Sequence, residues 1–157
     1  MKKRIISLIM VLVLIISSAG AASTAEERAS EYLASYAISM GALGDGVMEV
    51  FYSVDGTGRM ARVGAQALYI YYYNGEDWIP YETQLAVEHP DFYSYNAFGH
   101  IGYAYFEGEP GVDYCVTLQA YASGTDGGSD TGSITSRSVT LPLFSSSTRF
   151  RPLVARA

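Results

Sequence analysis

The chain has 157 residues, 49% of them hydrophobic and 17% charged, with 16 Gly, 14 Tyr and a single Cys. So apolar a chain buries one core without staples, which excludes intrinsic disorder, a disulfide scaffold and a multidomain enzyme as starting points. Between Ser30 and Leu143 three Arg stand against 14 acids, a balance of −11 that argues against nucleic acid or an anionic membrane surface as partner.

Lys2, Lys3 and Arg4 precede an apolar run from Ile5 to Ile16, and small residues follow as far as Ala25. The run is too short to span a bilayer, and the order of charge, apolar run and small residues predicts a secretory signal peptide over 1–25, cleaved after about Ala21 or Ala25. The expected location is extracellular. Residues 26–143 form a single acidic, tyrosine-rich domain in this reading. Residues 144–157, with Arg149, Arg151 and Arg156 and no acid, read as a flexible basic tail.

Within the domain, period-two alternation broken by glycine-bearing turns predicts about seven short strands. The first runs from Tyr32 to Met40, and Gly44-Asp45-Gly46 leads to a second over Val47–Val54 with Met48, Val50, Tyr52 and Val54 on one face. Asp55-Gly56-Thr57-Gly58 is expected to close it. Ala67–Tyr73 and Glu76–Thr83 flank Asn74-Gly75, a dipeptide suited to a type I′ hairpin, and Pro80 assigns the second arm to a sheet edge. Leu85–Ala97 reads as a long connection between sheets, followed by strands over Gly99–Glu107, Val112–Ala122 and Ser133–Leu141. This pattern predicts an all-β, antiparallel two-sheet sandwich without a disulfide, of the immunoglobulin or fibronectin-III kind.

Tyr114, at the start of a strand just after Pro110-Gly111, fits a tyrosine corner, whose phenol satisfies a backbone group at the crossing. Cys115 then points away from the core without a partner, either as a free thiol or as part of a chance dimer. Gly44-Asp45-Gly46, Gly56-Thr57-Gly58 with Met60, Asn74-Gly75 with Trp78, Tyr114 and Gly127-Gly128-Ser129-Asp130 also carry a resemblance. Over roughly Tyr32 to Val139 the chain resembles a family of small secreted proteins of Gram-positive anaerobic bacteria, classed as a domain of unknown function. The resemblance implies a secreted β-sandwich and brings no catalytic residue with it.

Catalytic chemistry finds little support. His89 and His100 are the only histidines, no pair lies at ligand spacing, and Gly-x-Ser-x-Gly is absent. No catalytic residue, cofactor or metal is expected, although 14 acids leave a two-carboxylate hydrolase open. Asp126 and Asp130 on a glycine-rich loop invite calcium, but turn formation accounts for them more simply. The remaining candidate is an aromatic surface. With Leu68, Ile70 and Tyr72 facing inward, Tyr69, Tyr71 and Tyr73 face outward beside Tyr121, Thr117 and Gln119, where they can stack on a sugar or hold an extended peptide. The leading expectation is therefore an extracellular binding or adhesion module for a cell-surface glycan or protein. The alternative is a structural secreted protein that self-associates.

Overall fold

The computed structural model describes residues 30–143; the segment read as a signal peptide (1–25) and the basic tail (144–157) lie outside the described residues. The fold is all-β and antiparallel. Its strands are β1 (Leu33–Gly44), β2 (Val47–Tyr73), β3 (Trp78–Leu85), β4 (Tyr93–Glu107), β5 (Asp113–Ser123), β6 (Ser129–Thr135) and β7 (Val139–Thr140), joined into one seven-stranded sheet with a single 3-10 turn at Pro90–Phe92. Cys115 forms no disulfide.

The 27-residue β2 is the spine. Its first part, Val47–Gly56, lies beside β1 on one edge, and its last part pairs with β5 through Arg62–Tyr72 on that same edge. The opposite edge carries β4 from Val47 to Gly64 and β3 from Ala67 to Tyr73. Sequence alternation divides this spine into two strands at Asp55-Gly56-Thr57-Gly58, yet the chain stays extended there. A Cβ on Gly56 would collide with the Met60 side chain, so the bare backbone lets Met60 fold over it while β2 bends and its register with β4 shifts between Asp55 and Met60. The glycines shape a bend instead of ending a strand.

Bent in this way, the sheet curls into a half-barrel around one core. Met48, Val50, Tyr52 and Val54 point inward from the first half of β2, and Leu68 and Ile70 from the second; all are buried, as are Val116, Leu118 and Ala120 of β5. Each fully buried Leu, Ile or Val contributes about 1.5–3 kcal/mol relative to exposure. The curl brings Tyr32, just before β1, over Gly124 and Gly128, and Tyr36 of β1 over Gly132 of β6, where side chains would occupy the space of the rings. The expected two-sheet sandwich is thus realised only in part, because β2 runs through both layers and makes them one sheet.

Local expectations divide similarly. Tyr114 is buried and its hydroxyl oxygen accepts the Glu109 amide at 2.8 Å, forming the expected corner. Pro80 lies in β3, which pairs with β2 alone and so forms an edge. The Asn74-Gly75 hairpin exists, but its connection spans Asn74–Asp77: the Asn74 side-chain oxygen accepts the Glu76 and Asp77 amides, and Asn74 keeps a negative φ. A two-residue turn with positive φ at both central positions occurs instead at Asp45 (51°) and Gly46 (84°). The connection read over Leu85–Ala97 is shorter than expected, since β4 begins at Tyr93. The last strand is split at Ser136, whose amide still donates to the Val116 carbonyl while its hydroxyl, in place of its own carbonyl, accepts the Val116 amide.

Candidate functional site

The expected parity of the aromatic face holds. Leu68 and Ile70 are buried, whereas Tyr69, Tyr71 and Tyr73 lie on the outer face of β2, opposite Thr117 and Cys115 of β5 for the first two. Tyr69 is half-buried and donates its hydroxyl to the Gln119 side-chain oxygen at 3.0 Å. Thr117 and Thr135 share a hydroxyl hydrogen bond of 2.8 Å beside them. Together Tyr69, Thr117, Gln119, Thr131 and Ser133 line a shallow groove of ≈ 340 Å³ along the β5–β6 pair.

The other members of the row spread along β2. Tyr71 is half-buried between Cys115 and Pro80 in the strand register, and Tyr73 pairs with Trp78, their rings 5.4 Å apart. Cys115, read as an outward thiol, is on that face but only 8% exposed, and burial pushes its thiol up. A covered, protonated thiol is poorly placed for a chance dimer.

Tyr121 stands at the other end of the row. Gly64 pairs with it across one edge of β2 and with Tyr93 across the other, and the two rings stand 5.9 Å apart; a Cβ on Gly64 would collide with the Phe92 carbonyl oxygen. Beside the pair lies Arg62, its guanidinium carbon 4.6 Å from the Tyr121 ring centroid and 4.8 Å from that of Tyr93. A guanidinium this near two ring centroids is in favourable cation–π range of both. The Arg62 guanidinium beside Tyr121 holds that phenol below its ordinary range, whereas burial pushes Tyr93 up. Past Tyr93 a cavity of ≈ 510 Å³ opens, lined by Arg62, Gln66, Tyr93 and Tyr95 with an apolar wall that includes Leu85 and Pro90.

Sequence reasoning named Tyr121 but missed Arg62 and Tyr93 beside it. Their signal was the Tyr93-Ser94-Tyr95 alternation, obscured by Pro90 and Asp91 in a stretch read as a connection, together with the rarity of arginine in an acidic domain.

The other candidates resolve into structural roles. The Asp126 carboxylate accepts the Tyr32 hydroxyl at 2.7 Å, and Asp130 accepts the Ser30 hydroxyl at 2.6 Å and the Tyr32 amide at 2.8 Å. These bonds hold both carboxyls below the usual range and push the Tyr32 phenol up to about 12. The loop therefore fastens the start of β1. His89 stacks on Phe92 at 4.8 Å, and His100 is buried with its Nδ1 3.0 Å from the Ser94 hydroxyl. Among the described residues no group of three or more His, Cys, Asp or Glu side chains converges as a metal site would. The His100 Nε2 and the Tyr52 hydroxyl, both buried, have no hydrogen-bond partner among the described residues.

Compared with family models, with curated proteins and with solved structures, the chain matches none.

Proposed function

We propose that the protein is a secreted, non-catalytic binding module that takes an extended glycan along the outer face of β2 and β5. The observation that carries this reading is the groove where the Tyr69 ring lies beside the side chains of Gln119, Thr117 and Thr131. Ring faces stack on sugar C–H groups, and neighbouring carboxamide and hydroxyl groups orient the sugar hydroxyls. A glycan suits the surface better than a peptide strand does. Both β2 and β5 are paired along both edges here, so an added strand finds no free backbone between them. The amino-terminal segment supports secretion, and the domain's negative charge suits a soluble extracellular protein.

The test is retention of the mature domain on a glycan array, with Tyr69→Ala/Gln119→Ala and Tyr71→Ala/Tyr73→Ala as variants. Loss of retention by the first pair with the thermal midpoint within a few degrees supports the site. Unchanged retention, or collapse of the fold in every variant with no binding by the wild type, overturns it.

A second reading, self-association, rests on a different surface. The outer face of the first half-sheet carries Phe51, Tyr105, Ile101 (66% exposed) and Tyr103 (51% exposed), and among the described residues β4 pairs with β2 alone. An edge strand flanked by exposed aromatic residues is a template for strand pairing. Sedimentation that stays monomeric up to high concentration would exclude it.

A further inference from the structure

Resting on the glycan reading, we propose that the cavity beside Arg62 is a subsite for the carboxylate of an acidic sugar, so that the preferred ligand is a uronate-containing glycan.

The site is built from three strands. Arg62 is in register with Tyr95 of β4 and Ser123 of β5, and its guanidinium carbon lies 4.8 Å from the Tyr93 ring centroid and 4.6 Å from that of Tyr121. The two rings, 5.9 Å apart and inclined at 68°, flank the guanidinium from one side, and the group also lines the cavity, where its N–H fork can meet a ligand. A planar carboxylate matches that fork with two parallel hydrogen bonds.

The neighbours that act on the Arg62 charge are tyrosines, Tyr121 foremost and then Tyr93 and Tyr95, rather than carboxylates. That is unusual where acids outnumber arginines 14 to three. Of the two other arginines between Ser30 and Leu143, Arg59 lies over the Phe98 ring, and neither lines this cavity. An acidic domain repels anions at a distance, so a cation flanked by aromatic rings, with no acidic neighbour among the described residues, is a short-range selector, not a steering charge.

The remaining walls fit a sugar. Tyr95 is exposed at the rim, and Tyr93 presents a half-buried ring. Gln66 brings a carboxamide for hydroxyl groups, while Leu85 and Pro90 offer apolar contact. At ≈ 510 Å³ the cavity falls in the range of small-ligand sites and takes one or two sugar rings. Tyr121, two residues from Gln119 on the same face of β5, joins this subsite to the Tyr69 groove. A chain crossing both would place neutral rings on Tyr69 and its acidic ring at Arg62.

The experiment compares galacturonate and glucuronate tetrasaccharides with their methyl esters, which differ only by the charge, in calorimetric titrations of the mature domain. The expected result is at least about tenfold tighter binding of one acid than of its ester. Arg62→Gln should bring that ratio close to one with an unchanged thermal midpoint, and Arg62→Lys, which keeps charge without the fork, should restore it in part. Equal affinity of acid and ester for the wild type, with neutral glycans still retained on the array, overturns the subsite and leaves the groove standing. Absence of binding to acidic and neutral glycans alike overturns both. The wild-type comparison decides the matter even where an Arg62 variant fails to fold. A sulfated oligosaccharide that outcompetes both uronates would overturn the carboxylate assignment.

Discussion

The ring of Tyr36 lies over Gly132, where a Cβ would stand 2.6 Å from three of its atoms. Through this contact β1 closes against β6 although no ladder joins them. Gly132→Ala should therefore destabilise the domain by about 1–3 kcal/mol through overpacking. In a Tyr36→Ala background the same change should have a much smaller effect. A double-mutant cycle in urea measures the difference, and additive effects would show that the two residues are uncoupled.

Tyr114 holds the turn before β5 by accepting the Glu109 amide. Tyr114→Phe keeps the ring contacts with Phe106 and Tyr81, whose centroids lie at 5.4 and 5.5 Å, and removes only that acceptor. A loss of about 0.5–1.5 kcal/mol is expected in equilibrium denaturation, with the slope against denaturant unchanged.

Tyr52 poses the opposite case. Its hydroxyl is buried without a hydrogen-bond partner among the described residues, and burial drives its phenol upward. Tyr52→Phe removes an unsatisfied polar atom and keeps the edge-to-face contact with Phe92 at 5.8 Å. The variant should be as stable as the parent or more stable by about 1 kcal/mol. A clear loss of stability would reveal a partner for the hydroxyl, such as an internal water.

His100 makes the fold sensitive to mild acid. Burial lowers its imidazole below the ordinary value, opposed in part by the carboxylate of Asp91. The unfolded chain binds a proton at about pH 6.5, above the folded value. As pH falls below about 6.5, the unfolded state gains protons first and stability declines until the folded value is passed. The thermal midpoint should fall from about pH 7.5 to about pH 5.5, and more steeply in the parent than in His100→Gln. Parallel profiles would show that His100 does not govern this range.

Much of the barrel interior was legible because one face of each strand is buried. The alternation of Met48, Val50, Tyr52 and Val54 could be read directly, and so could the outward placement of Tyr69 and Tyr71 opposite Leu68 and Ile70. What escaped depends on contacts remote in sequence. Gly56 resembles a turn residue until Met60 is seen folded over it, and Asp45-Gly46 and Asn74-Gly75 carry similar turn signals while only the first has positive φ at both positions. The Arg62 corner needed the register of three strands at once. No local pattern places Tyr93, Arg62 and Tyr121 side by side, because Gly64, which separates the two rings, reads as an ordinary break.

With β2 hydrogen-bonded to β1, β3, β4 and β5, assembly of this domain has a single scaffold, and its ladders from β2 to β4 and β5 close large loops of chain. Such topologies fold in milliseconds to seconds rather than microseconds. They also come apart together. Cutting the loop at Gly124–Gly128 leaves the pairing of β1 through β5 intact, whereas a break at Gly56 would part the half of β2 that pairs with β1 from the half that pairs with β3 and β5, leaving β4 as the strand paired with both.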